Sequence, residues 1–117
     1  FDVQGDVAIT GRALNEALLS EPWRWLGDWL AEQLMGLTPL GGLRIDNDQM
    51  ELQAPVVAHK DPARRRFRLR AGEGTVVIHP IDDDRETLLP MDDGIQIEQA
   101  ELQAGILHLQ GRARVTP

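Results

Sequence analysis

The chain has no cysteine and no tyrosine, a single serine, one lysine and three histidines. Without thiols it has no disulfide framework, no cysteine-ligated zinc and no thiol nucleophile, and its redox compartment leaves no mark on the composition. The one serine, Ser20, sits in Leu19-Ser20-Glu21-Pro22, which lacks the glycines of a nucleophile elbow and reads as a helix start. No apolar run approaches the roughly 20 residues that span a bilayer, and no charged start followed by an apolar stretch marks a signal peptide. A net charge of -7 argues against a nucleic-acid partner, because phosphate binding calls for a basic excess.

What is present is ordinary for a globular domain. With 42% hydrophobic and 26% charged residues over 117 positions, the chain can bury a core of its own and is read as one domain, 1–117. Phe1 to Ile9 alternates in part, with Val3, Val7 and Ile9 on one face of a strand that Gly5 interrupts. Thr10 is placed to cap a short helix carrying Ala13, Leu14, Ala17 and Leu18. A second helix is expected from Ser20-Glu21-Pro22 to about Leu37, with Trp23, Leu26, Leu30, Leu34 and Leu37 in one stripe and Trp25 and Trp29 widening it. Pro39, Gly41 and Gly42 close this helical part.

From Leu43 the period changes to two. Met50, Leu52, Ala54 and Val56 alternate after the turn-rich Asp46-Asn47-Asp48, and Phe67, Leu69 and Ala71 alternate with Arg66, Arg68 and Arg70. Further strands are expected at Thr75 to His79, Gly94 to Gln103 and Ile106 to Thr116. The expected fold is therefore α+β: a strand, two N-terminal helices, then an antiparallel meander of five to seven strands with the wide apolar helix on one sheet face.

Few residues invite catalysis. His59, His79 and His108 are far apart in sequence and lack metal-ligand spacing, and Asp82-Asp83-Asp84 and Asp92-Asp93 lack the closing glutamate of a calcium loop. Gly72-Glu73-Gly74 does not lead from a strand into a helix, as a phosphate loop must. No cofactor and no enzymatic activity are expected. Two features point to binding instead. Eleven of the twelve basic residues are arginine, and from His59 to Arg70 six basic residues face Asp61 alone. On one strand face, Arg66, Arg68 and Arg70 suit an anionic head group or an acidic partner; the plainer reading pairs them with acidic neighbours on adjacent strands. Trp23, Trp25 and Trp29 lie within seven positions, either lining an apolar groove or forming part of a helix face packed on the sheet.

The stretches Phe1-Asp2-Val3-Gln4-Gly5 through Ile9-Thr10, Leu14-Asn15-Glu16-Ala17-Leu18 and Ser20-Glu21-Pro22-Trp23 resemble the middle of the LmeA-like phospholipid-binding family, common in cyanobacteria and actinobacteria. Gly94-Ile95-Gln96-Ile97-Glu98, Leu102, Gly105-Ile106-Leu107-His108-Leu109, Gly111 and Val115-Thr116-Pro117 resemble its terminal hairpin. Gly11-Arg12-Ala13 departs from the acidic residues that relatives tend to place there. The resemblance implies the C-terminal half of a longer protein, a cell-envelope or periplasmic setting, and non-catalytic binding of phospholipid or another apolar small molecule, with peripheral membrane contact. Trp23, Trp25, Leu26 and Trp29 are then the candidate lining, and Arg66, Arg68 and Arg70 the candidate head-group contacts. The alternative is a structural or protein-interaction domain that docks a partner through a sheet edge or the arginine face.

Overall fold

A computed structural model describes residues 2–58 and 60–114; Phe1, His59 and Val115 to Pro117, which figure in the sequence reading, lie outside the described residues. The fold is α+β, with two helices and eight strands among the described residues: β1 (Asp2–Thr10), α1 (Gly11–Leu18), α2 (Arg24–Met35), β2 (Gly42–Asp46), β3 (Gln49–Ala54), β4 (Ala63–Gly72), β5 (Thr75–Pro80), β6 (Thr87–Leu88), β7 (Ile95–Gln103) and β8 (Ile106–Arg114). As expected, the helices precede antiparallel strands, which form two sheets among the described residues, a five-stranded one in the order β2-β3-β4-β5-β6 and a three-stranded one in the order β1-β8-β7. The first strand crosses the whole chain to pair with the last, and no local pattern announces a pairing of such sequence separation.

Local chemistry accounts for most element boundaries. The Thr10 hydroxyl accepts the Ala13 amide at 3.1 Å and starts α1, as expected. Ser20 does not start α2: its hydroxyl donates to the Glu16 carbonyl at 2.7 Å and so finishes α1. α2 begins one turn later, with Trp23 as an N-cap that makes no side-chain bond, and stops at Gly36, whose φ of 69° is the left-handed conformation that ends helices. The helix is therefore shorter than expected at both ends, and Trp23 and Leu37 fall outside it. Three hairpins close on two-residue turns: Asn47-Asp48 and, with positive φ at both positions, Glu73-Gly74 (φ 53° and 79°) and Ala104-Gly105 (φ 53° and 78°). Positive φ at both positions gives the turn whose twist matches that of the flanking strands, and glycine takes the second position without strain.

The core lies where α2 meets the inner face of the larger sheet. Leu30, Ala31 and Leu34 pack with Leu43, Met50, Leu52, Phe67 and Ile78, while Leu26, Trp29 and Leu69 are partly buried against them. Of Leu26, Leu30, Leu34, Phe67 and Leu69, which the two periodicities assign to one core, Leu30, Leu34 and Phe67 are enclosed and Leu26 and Leu69 partly buried. Leu102 and Leu107 of the smaller sheet enter the same cluster, so the two sheets share one core at the turn end of the β7–β8 hairpin. The hairpin tips are also tied together: Gly11 donates to the Gly105 carbonyl, Gly105 to the Asn47 carbonyl, and Ile97 to the Gly74 carbonyl. α1 is fixed from the side by Asn15, whose Oδ1 accepts the Leu43 amide at 2.7 Å. Beyond this junction the three-stranded sheet runs on, and the molecule measures 52 × 26 × 25 Å.

Candidate functional site

The tryptophans separate into two environments. Trp29 and Leu26 are partly buried against the core, whereas Trp23 and Trp25 are 51% and 57% exposed. The late start of α2 explains the exposure of Trp23, which sits at the cap rather than on the leucine stripe. None of the principal concavities among the described residues is lined by Trp23, Trp25, Leu26 or Trp29. Both rings are exposed on the surface, and neither lines a groove between helix and sheet among the principal concavities of the described residues.

Arg66, Arg68 and Arg70 share the outer face of β4, as alternation requires, and each meets carboxylates of neighbouring strands or loops. Arg66 contacts Glu51 at 3.3 Å and Asp46 at 3.5 Å; Arg68 contacts Asp48 at 3.9 Å; Arg70 donates to both oxygens of Glu86 at 2.9 and 3.1 Å. Glu51 is the centre of this lattice. It stands directly across from Arg44 on β2 and Arg66 on β4, and its side chain is only 6% exposed beneath them. The face is therefore charge-compensated within the molecule. His79 lies on the same sheet face across from Arg68, with Nδ1 3.5 Å from Glu86.

Arg65 was not singled out by the sequence reading, although its signal was present: it falls in the period-two register of Phe67 and Leu69, on the apolar side of β4. Its guanidinium lies 5.8 Å from the Phe67 ring centroid, donates to the Leu34 carbonyl at 2.7 Å, and reaches Asp83 at 3.3 Å and Asp82 at 3.6 Å. It thereby closes the C-terminus of α2 and ties it to the loop after β5. Asp83 is held below the ordinary aspartate range, first by the Arg85 backbone N–H that it accepts at 3.1 Å and further by the charge of Arg85, the Asp84 amide and Arg65, with desolvation opposing.

The larger finding is the inner face of the three-stranded sheet. Its register makes four apolar rungs: Ile9–Leu107–Leu102, Val7–Leu109–Ala100, Gly5–Gly111–Ile97 and Val3–Ala113–Ile95. Leu102 and Leu107 of the first rung are in the core and Ala100, Leu109 and Ile97 pack against it, but burial falls away across the strands toward β1, where Val7 and Val3 are 48% and 47% exposed. A shallow open trough of about 250 Å³ runs along the outer rungs, with Arg112 its one charged lining residue. Gly5 and Gly111 make its floor, and they are not equivalent. A Cβ on Gly5 would point into open space, whereas one on Gly111 would overlap the Gln96 carbonyl. The opposite face of the same sheet is polar, lined by Asp6, Gln99, Glu101 and His108. The alternation of Val3, Val7 and Ile9 was legible; that Val3 and Val7 stay about half exposed was not.

Among the described residues no three metal-ligating side chains cluster, and no helix is long and apolar enough to cross a membrane. No family model, no curated protein and no solved structure matches the chain.

Proposed function

We propose that this chain is a non-catalytic module that binds a phospholipid or similar apolar ligand, seated on the outer rungs of the three-stranded sheet. One observation carries the reading: an apolar strand face, floored by glycine, that is about half exposed along β1 at Val3 and Val7. Burying such a surface against an acyl chain contributes roughly 25 cal/mol for each Å² removed from water. Arg112 borders the trough but is ion-paired with Glu98, and Arg114 with Asp2 at 3.9 Å, so the reading rests on the apolar face and not on a guanidinium. Exposed Trp23 and Trp25 suit the interfacial zone of a bilayer, where an apolar ring with one polar N–H is favoured. The resemblance to LmeA-like proteins supports the same class of ligand. The arginines of β4, already matched by carboxylates, become structural in this reading, and the seat moves from the helix to the small sheet.

The test is a Gly5→Leu variant titrated with an environment-sensitive fluorescent fatty acid. Its side chain enters open space, so the fold should hold while the trough fills. Fluorescence that rises with the wild type and not with Gly5→Leu supports the seat; equal binding by both, or none by the wild type, overturns it. Trp23→Ala with Trp25→Ala should leave fatty-acid binding intact and weaken sedimentation with mixed zwitterionic and anionic liposomes.

A further inference from the structure

We infer that β1 is a self-complementary edge through which two copies of this chain pair into one continuous sheet. The inference is independent of ligand binding, because pairing uses the edge of the strand and the proposed ligand uses its face. Four described strands stand at sheet edges, and three are blunted. β6 has two residues and β2 five, and β7 is broken by a register shift between Ile97 and Gln99. The Ile97 amide of β7 is also taken by the Gly74 carbonyl. β1 alone runs nine residues in unbroken register, with no proline, lysine or bulge to deter pairing, and no described strand pairs with the edge it turns away from β8.

The phase of the β1–β8 ladder fixes which backbone groups are free. Gly11 donates to the Gly105 carbonyl, so the odd residues Ile9, Val7, Gly5 and Val3 exchange hydrogen bonds with β8. The even residues Asp2, Gln4, Asp6 and Ala8 therefore turn their N–H and C=O groups to the open edge. An antiparallel copy must pair even residues with even residues, which leaves a short choice of registers. Centring the two-fold on Gln4 sets Asp2 against Asp6 of the second copy, and centring it on Asp6 sets that aspartate against itself; like charges directly opposed disfavour both. Centring on Gly5 sets Gln4 against Asp6, Asp2 against Ala8 and Val3 against Val7, with no acidic pair opposed. It is also the longest register that leaves Thr10 free to cap α1. A two-fold perpendicular to the sheet keeps the apolar face of each copy on the same side, so the two troughs adjoin across a six-stranded sheet.

Three variants read this register. The sequence has no cysteine, so Gly5→Cys introduces one thiol at the two-fold, where directly opposed Cβ atoms are close enough for a disulfide. Gln4→Lys places opposite charge against Asp6 twice per dimer, and Gln4→Asp places like charge there twice. By sedimentation equilibrium, Gln4→Lys should tighten the dimer and Gln4→Asp loosen it, by roughly 2- to 30-fold each. Under mild oxidation Gly5→Cys should be recovered as a cross-linked dimer with an unchanged circular dichroism spectrum. A wild type that stays monomeric at its highest soluble concentration overturns the inference, as does a dimer indifferent to both charges at position 4. Amide shifts at Asp2, Gln4, Asp6 and Ala8 caused by an unrelated extended peptide, without self-association, would assign the edge to another protein and equally overturn it.

Discussion

The two sheets are built from similar strands and differ in what lies on them. The five-stranded sheet carries α2 on its inner face and a lattice of arginines and carboxylates on its outer one, so Phe67 and Leu52 are wholly enclosed. The three-stranded sheet continues the same apolar pattern, packed against the core at Ala100, Leu109 and Ile97 but about half exposed along β1 at Val3 and Val7. Alternation in a strand sets which face is apolar; a separate element must supply the burial. Where α2 supplies it the face is core, and where nothing does it becomes a surface available for binding.

The sharpest way to break this comparison is to truncate one residue from each sheet. Phe67→Ala should cost about 3 to 5 kcal/mol, since it removes a fully buried ring and leaves a cavity. Val7→Ala should cost about 1 kcal/mol or less, because half of its side chain is already in water. Urea unfolding monitored by circular dichroism measures both. Equal losses would mean that the outer rungs are packed as tightly as the core.

A second prediction concerns the clamp that holds the cover in place. Arg65→Met keeps an aliphatic stem over Phe67 but loses the bond to the Leu34 carbonyl and the contacts with Asp82 and Asp83. The expected cost is about 1 to 3 kcal/mol, from hydrogen bonds of a charged donor in a half-buried setting. Amide exchange should speed up in the last turn of α2 and stay unchanged in β7 and β8. A uniform change across both sheets would show that the clamp acts on the whole fold and not on the helix end.

How much of this was legible follows from the range of each signal. Leu30 and Leu34 at helical spacing, and Phe67 at strand spacing, named the core because burial of a periodic face is a local property. The outward set of Arg66, Arg68 and Arg70 followed from the same alternation. The partners of those arginines come from strands up to 20 positions away, as Arg66 with Asp46 shows, and no spacing rule marks which carboxylate will be opposite. The closing of β1 onto β8 is longer in range still, and with it went the trough, whose walls come from both ends of the chain. Ser20 misled for a different reason: a hydroxyl beside a proline fits a helix start, but the same hydroxyl satisfies a carbonyl of the preceding helix equally well.

The third prediction sharpens the contrast within a single rung. Gly111→Ala forces a Cβ onto the Gln96 carbonyl, so the β7–β8 pairing must shift, and about 1 to 3 kcal/mol of stability should be lost. Gly5→Ala across the same rung meets open space and adds about 0.5 to 1 kcal/mol, the ordinary gain from replacing glycine within a strand. Opposite signs at two paired glycines would show that one is a packing requirement and the other a vacant position on the trough floor. Matching signs would remove the basis for treating Gly5 as the floor.

The smallest effect is expected at Asp83, in the loop that the Arg65 clamp engages. Its carboxyl titrates below the ordinary aspartate value, with the Arg85 backbone N–H as the leading cause and the Arg85 charge a lesser one. A folded-state value below the unfolded one means that the contribution to stability is complete above the ordinary aspartate range. It fades as pH falls through the lowered value, because the unfolded chain then binds the proton more readily. Carbon NMR of the side-chain carboxyl across the acid range follows this group directly. The two causes separate by substitution: Arg85→Gln removes the charge and keeps the N–H, whereas Arg85→Pro removes both. The Asp83 titration should move up slightly with Arg85→Gln and considerably further with Arg85→Pro. If Arg85→Gln alone returns it to the ordinary value, the guanidinium and not the backbone amide holds the carboxylate, and the loop is fastened by a surface ion pair that added salt would weaken.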